Sequence, residues 1–151
     1  MTHFTPRHDA WDTRLRDSFA RQAMMATMGV TIEALAPGQV TLSMPFDARF
    51  TQQHGFLHAG AVTSVLDTAA GYAAFSLMAA DAAVLTAEFK TSLLAPAKGQ
   101  NFRFVGEVLK SGRTLTFTEA RAYALDGDTE RLIATMSATM MAVTGRGDVA
   151  G

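Results

Sequence analysis

Two hydrophobic periods run along this chain, and the points where one gives way to the other outline its elements. Over residues 9–28 the apolar positions Trp11, Leu15, Phe19, Met24, Met25 and Met28 recur at roughly helical spacing. Arg14, Arg16, Asp17 and Arg21 take the other side, which predicts an amphipathic helix. Asp9 or Asp12 is placed to cap its start and Gly29 to end it. Residues 30–36 and 39–46 predict a hairpin around Pro37 and Gly38. In its second half Val40, Leu42, Met44 and Phe46 alternate with Thr41 and Ser43, the period of a strand with one buried face. Pro45 marks a frayed or edge position. Residues 47–58 are polar, hold Gly55 and two histidines, and predict a loop. Residues 59–80 are apolar nearly all round, so a helix there must be surrounded by other elements.

Beyond residue 83 the period is that of strands: 83–94, 100–109, 114–124 and 130–143. Phe102 with Phe104, Leu115 with Phe117, and the run Leu132, Ala134, Met136, Ala138 and Met140 each share a face. The breaks are short: residues 95–99, 110–113 and 126–128. Short turns predict antiparallel neighbours and a four-strand meander. The order helix, hairpin, long helix, meander is α+β. It predicts a strongly curved antiparallel sheet of five or six strands wrapped around one long helix, with a helix at the N-terminus. A helix over 59–80 is about 30 Å long. The expected organisation is one domain over 1–151, with its core at about 15–143 and a disordered tail at 145–151.

Composition narrows the function classes. The chain has 151 residues and no cysteine, which excludes disulfides, a thiolate nucleophile and cysteine-ligated metals, and suits a reducing cytoplasm. Lys plus Arg is 13 against 14 Asp plus Glu, a net charge of −1, so no footprint for nucleic acid or an anionic membrane is present. The N-terminal residues mix charges throughout and lack the apolar core of a signal peptide. Residues 59–80 are long enough to span a bilayer, but they are mostly Ala, Gly, Ser and Thr around Asp67. A central Asp costs about 2.5–3.5 kcal/mol on insertion scales, so the segment reads as a helix buried in protein.

Asp67 is the only charged side chain between His58 and Asp81. A buried carboxylate needs partners or a purpose. It either accepts hydrogen bonds from Thr63, Ser64 or Thr68, sits at a polar subunit contact, or serves as base or nucleophile beside an apolar pocket. His58 stands just before the long helix, where the first N–H groups lack internal partners and can polarise a carbonyl. It is either a capping residue or part of that site. His54 and His58 are four apart, but no third ligand is evident, so no metal is expected. Most of the nine methionines fill the core, and flexible Met also suits a pocket for a variable acyl chain.

Gln52-Gln53-His54-Gly55-Phe56-Leu57-His58-Ala59-Gly60-Ala61, then Leu66-Asp67-Thr68-Ala69 and Gly71, resembles the hotdog-fold acyl-CoA thioesterases, in the phenylacetic-acid-degradation branch. Residues 85–90, 94–99 and 108–114 resemble that family's third strand, the turn after it and the next hairpin. The resemblance covers about residues 15–143 and implies the hotdog fold. It also implies a homodimer or homotetramer with sites at the dimer interface, an acyl-CoA substrate and no cofactor. Residue by residue, it implies that Asp67 is nucleophile or general base on the thioester. Ala59 supplies a backbone N–H to the carbonyl and His58 precedes it. Gln52 orients water or substrate, and Thr86 helps position the hydrolytic water. Lys90, Lys110, Ser111, Gly112 and Arg113 are candidates for the coenzyme A moiety.

Two positions set conditions on that reading. The family usually has Gly where Ala59 stands, and the donor survives only if Ala59 keeps φ below zero. Strict alternation along 83–94 puts Thr86 on one strand face with Glu88 and Lys90, which looks like a solvated face. The leading expectation is hydrolysis of an acyl-CoA to a carboxylic acid and coenzyme A. The alternatives are a non-catalytic acyl-CoA-binding hotdog protein and a hotdog enoyl-thioester hydratase or dehydratase, which needs a His paired with a carboxylate.

Overall fold

The computed structural model describes residues 3–151. The predicted N-terminal helix is two helices, α1 (Trp11–Ala20) and α2 (Ala23–Thr27). The break falls where Gln22 adopts an extended backbone. It lets Met25 and Met28 enter the core while Met24 stays 54% exposed. Neither Asp9 nor Asp12 caps α1, whose N-cap is Ala10 with no side-chain bond. Gly29 closes α2 with φ +70°, as expected of a helix-ending glycine.

Strands β1 (Thr31–Ala36) and β2 (Gln39–Pro45) form the predicted hairpin. Gly38 turns it with φ +80°, a conformation an L side chain resists. The loop that follows contains a 3₁₀ turn at Ala48–Phe50, capped by the Asp47 carboxylate, which accepts from Arg49 N–H. The long helix α3 (Ala59–Phe75) has 17 residues and ends earlier than expected. Strands β3 (Ala83–Leu93), β4 (Asn101–Ser111), β5 (Leu115–Asp126) and β6 (Thr129–Val143) complete the chain. No helix is long and apolar enough to cross a membrane, among the described residues.

The six strands make one antiparallel sheet in the order β1-β2-β4-β5-β6-β3. This corrects the predicted meander, because β3 pairs with β6 and not with β4. The segment 94–100 is a crossover, not a hairpin turn. Its start is held by Leu94 and Ala95 N–H groups on Ile133 O, and its end by Gln100 N–H on Leu125 O. The crossover carries the chain beneath the start of α3, where Leu57 N–H donates to Ala97 O at 3.1 Å.

The sheet curls around α3, and every residue from Thr68 to Phe75 is buried. Phe102 and Phe104 are fully buried, and removing such a side chain from water contributes about 1.5–3 kcal/mol. Next to the helix the strands carry small residues. A Cβ on Gly106 would lie 2.3 Å from Ala69 O, so only glycine lets β4 approach α3 this closely. The same closeness shapes β5. Leu115 and Phe117 share the exposed outer face, and the helix-facing row of β5 is Thr116, Thr118, Ala120, Ala122 and Ala124.

Candidate active site

Asp67 sits midway along α3, half-buried, and faces the edge strand β3. Thr86 Oγ1 donates to its Oδ1 at 2.7 Å. The three helix hydroxyls considered as partners are not its donors: Ser64 Oγ bonds Gly60 O, Thr68 Oγ1 bonds Ser64 O, and Thr63 makes no bond to it. Burial pushes the Asp67 carboxyl above the usual carboxylate range, and the Thr86 hydrogen bond pulls part of the way back. Gln22 and Tyr72 complete the walls of this small cavity of about 200 Å³. Tyr72 Oη is fixed by Ser18 Oγ and Gln22 Nε2. Neither Gln22 nor Tyr72 carried a signal in the sequence beyond helical spacing.

A β-bulge settles how Thr86 reaches Asp67. Thr86 pairs with Met140, Glu88 pairs with Thr139, and Ala87 between them has no partner. The extra residue shifts the alternation. Thr86, Phe89, Thr91 and Leu93 oppose the helix-facing residues Met140, Ala138, Met136 and Ala134. Glu88 and Lys90 go to the outer face, where Thr139 Oγ1 donates to Glu88. Thr86 therefore leaves the face of Glu88 and Lys90, contrary to strict alternation, and stays exposed in the single chain.

The start of α3 forms a second group. His58 is the N-cap, and its Nδ1 accepts from Gly60 N–H at 2.8 Å. That bond assigns the ring proton to Nε2. His58 N–H is tied to Phe50 O. Ala59 is the first helical residue and is exposed. No described non-glycine residue has positive φ, so Ala59 meets the condition for a backbone donor. Gln52 Oε1 accepts from His54 N–H, and Gln52 N–H donates to Phe56 O. These bonds leave Gln52 Nε2 for another partner. Gln52, His58 and Ala59 share a cavity of about 560 Å³ with Val62, Leu93 and Ile133.

The structure thus brings Asp67 to Thr86, and Gln52 to His58 and Ala59, but it keeps the two groups in separate cavities. Of the coenzyme A candidates, Ser111, Gly112 and Arg113 line a cavity of about 320 Å³ near the end of α3. There Arg7 Nη2 donates to Gly112 O. Lys90 and Lys110 point to the outer face of the sheet, away from Asp67.

A curved antiparallel sheet around one long helix, with a single carboxylate midway along it, is the hotdog type of thioesterase fold. The chain belongs to the thioesterase superfamily, whose sequence profile matches residues 54–130. It is therefore an enzyme of the thioester-hydrolase class. A crystal structure of a thioesterase family protein from Silicibacter pomeroyi is 59% identical. That match covers 89% of this chain and 99% of the other with a TM-score of 0.88. A Saccharolobus solfataricus protein named as a candidate esterase is 31% identical over 100 residues, 66% of this chain and 71% of its own. The PaaI protein from the phenylacetic acid degradation operon of Escherichia coli shares the fold at 18% identity and a TM-score of 0.81. That match covers 93% of this chain and 98% of the other.

Proposed function

We propose that the protein hydrolyses an acyl-CoA thioester to a carboxylic acid and coenzyme A, in sites completed by a second copy of the chain. One observation carries this: the acid and the oxyanion donor lie too far apart in one chain to meet. Ala59 and Asp67 are eight residues apart on one helix, about 12 Å along its axis and about 80° around it. Both cavities border the edge strand β3, one at Leu93 and the other at Thr86. Antiparallel pairing of two β3 edges sets the Leu93 end of one copy against the Thr86 end of the other. A two-fold axis repeats the contact and makes two sites.

In each site Ala59 N–H holds the thioester oxygen and stabilises the oxyanion that forms on attack. His58 fixes the helix start, so the donor is aimed before substrate arrives. The Asp67 carboxylate, made more basic by burial, either attacks the carbonyl carbon or takes a proton from the attacking water. The coenzyme A thiolate leaves as the C–S bond breaks and needs no prior protonation. On the covalent route, water then cleaves the Asp67 anhydride and restores the carboxylate. Thr86 holds the reactive rotamer of Asp67, and Gln52 Nε2 holds the water or substrate. Ser111, Gly112 and Arg113 are the candidates for the coenzyme A phosphates. His58 Nδ1 is occupied by Gly60 N–H, which weighs against the hydratase reading. An exposed outer patch of Leu85, Leu115 and Phe117 suits a tetramer of two such dimers. A cysteine-free chain suits the reducing cytoplasm.

Thiol release from a panel of acyl-CoA esters tests the reaction, and release that persists unchanged in Asp67→Asn overturns it. Single-turnover hydrolysis in heavy-oxygen water separates the two routes. Label entering Asp67 marks the covalent one, with water attacking the Asp67 carbonyl of the anhydride.

A further inference from the structure

We infer that the acyl group of the substrate is seated in the cavity between α2, the 3₁₀ turn and the first turn of α3, which selects uncharged apolar acyl groups larger than acetyl. The inference rests on the reading that Ala59 N–H receives the thioester carbonyl. This cavity holds about 460 Å³ and is walled by Met24, Met28, Phe50 and Ala61. His58 borders both this cavity and the one that holds Ala59 and Gln52. An acyl chain leaving a carbonyl at Ala59 therefore passes His58 and enters the space beside Ala61, within one helical turn. The alternative space beside Leu93 lies at the β3 edge, where the partner's acid is required.

Size, lining and charge point to the same occupant. An apolar cavity of about 150 Å³ accepts benzene, so this one takes a phenyl ring or a medium alkyl chain. Two methionines give a surface that adapts to either shape. Each methylene buried there is expected to raise affinity about fourfold. Arg49 stands at the rim with its charge already paired to Asp47. Its Nε and Nη2 donate to both Asp47 oxygens, at 3.0 and 2.6 Å to Oδ2, and its guanidinium lies 5.5 Å from the Phe50 ring centre. A carboxylate-bearing acyl group would have to compete with Asp47 for Arg49, the cation at this rim. Thr27 lies on the exposed side of α2 at the rim, so a larger side chain there fills the cavity without entering the core.

The test compares kcat/KM for acetyl-, octanoyl-, phenylacetyl- and succinyl-CoA in the wild type, Thr27→Trp and Ala61→Leu. The two variants fill the cavity from different walls, and circular dichroism checks each fold. The wild type is expected to prefer octanoyl- or phenylacetyl-CoA over acetyl-CoA by at least about tenfold. Filling is expected to lower that ratio by about tenfold or more, whichever large acyl group is preferred. Unchanged ratios in folded, active variants, or a preference for succinyl-CoA, overturn the inference and leave the hydrolase reading standing. No thiol release from any ester overturns the hydrolase reading, and the inference with it.

Discussion

The two edges of the sheet are built differently. The β1 edge has six residues and a register shift between Ile32 and Ala34, leaving Glu33 unpaired in the ladder. Short, bulged edges resist pairing with other chains. The β3 edge has 11 residues and, beyond its own bulge at Ala87, runs from Glu88 to Leu93 in unbroken register with β6. Its helix-facing Phe89 and Leu93 remain 49% and 57% exposed. One edge is blunted, and the other offers a long apolar face beside both halves of the candidate site. The proposed shared site uses the second edge and leaves the first one free.

The sharpest way to break that contrast is at the acid. Asp67→Asn is expected to lower kcat by about 10³-fold or more while thermal unfolding shows a persisting fold. The sign of the stability change follows from the direction of the pKa shift. Burial favours the protonated carboxyl, so that contribution is present at acid pH and is lost as pH rises through the raised value. The ionised group is then a cost at neutral pH. Asp67→Asn should be at least as stable as the wild type at pH 7, with any advantage fading on acidification.

Next in size is the edge itself. Phe89→Glu places a charge on the helix-facing side of β3, and is expected to shift sedimentation to monomer and lower kcat/KM by about 10²-fold. A charge at an exposed position of β1, Ala34→Glu, is expected to leave assembly unchanged by the same measurement. Smaller again is Thr86→Val, with about a tenfold loss in kcat/KM. Because the Thr86 bond pulls the Asp67 pKa down, its removal should move the acid limb of the pH–rate profile upward. Smallest is Ala59→Gly, expected to stay within about threefold of wild type in kcat, since the alanine already has the helical backbone a donor needs.

The elements of this fold were legible in the sequence where packing is local. The hairpin at Gly38, the all-round apolar helix and the strand periods all rest on short-range pattern. The placement of β3 was not legible, because a break containing Pro96 and Gly99 looks the same whether it turns back or crosses over. Which strand receives β3 is decided by long-range pairing with β6. The bulge at Ala87 was hidden for a related reason, since Thr86, Glu88 and Lys90 alternate without interruption in the sequence. Isolation in an apolar helix marked Asp67 and the helix start marked His58, while the resemblance added Ala59, Gln52 and Thr86. Their division into two groups came from α3 geometry, and the methionine-walled cavity came from the break at Gln22 that turns α2.

Complementation between two inactive variants tests whether the halves meet across the β3 edge. Ala59→Pro removes the donor N–H at a position where proline suits a helix, and His58, with ψ 140°, already has the backbone a following proline requires. Alone it is expected to lose about 10²–10³-fold in kcat. Co-expressed with Asp67→Asn and purified as a mixed dimer population, it should recover about a quarter of wild-type activity, because half the dimers then carry one intact site of two. Activity no greater than that of the two variants assayed apart would contradict a site shared between copies.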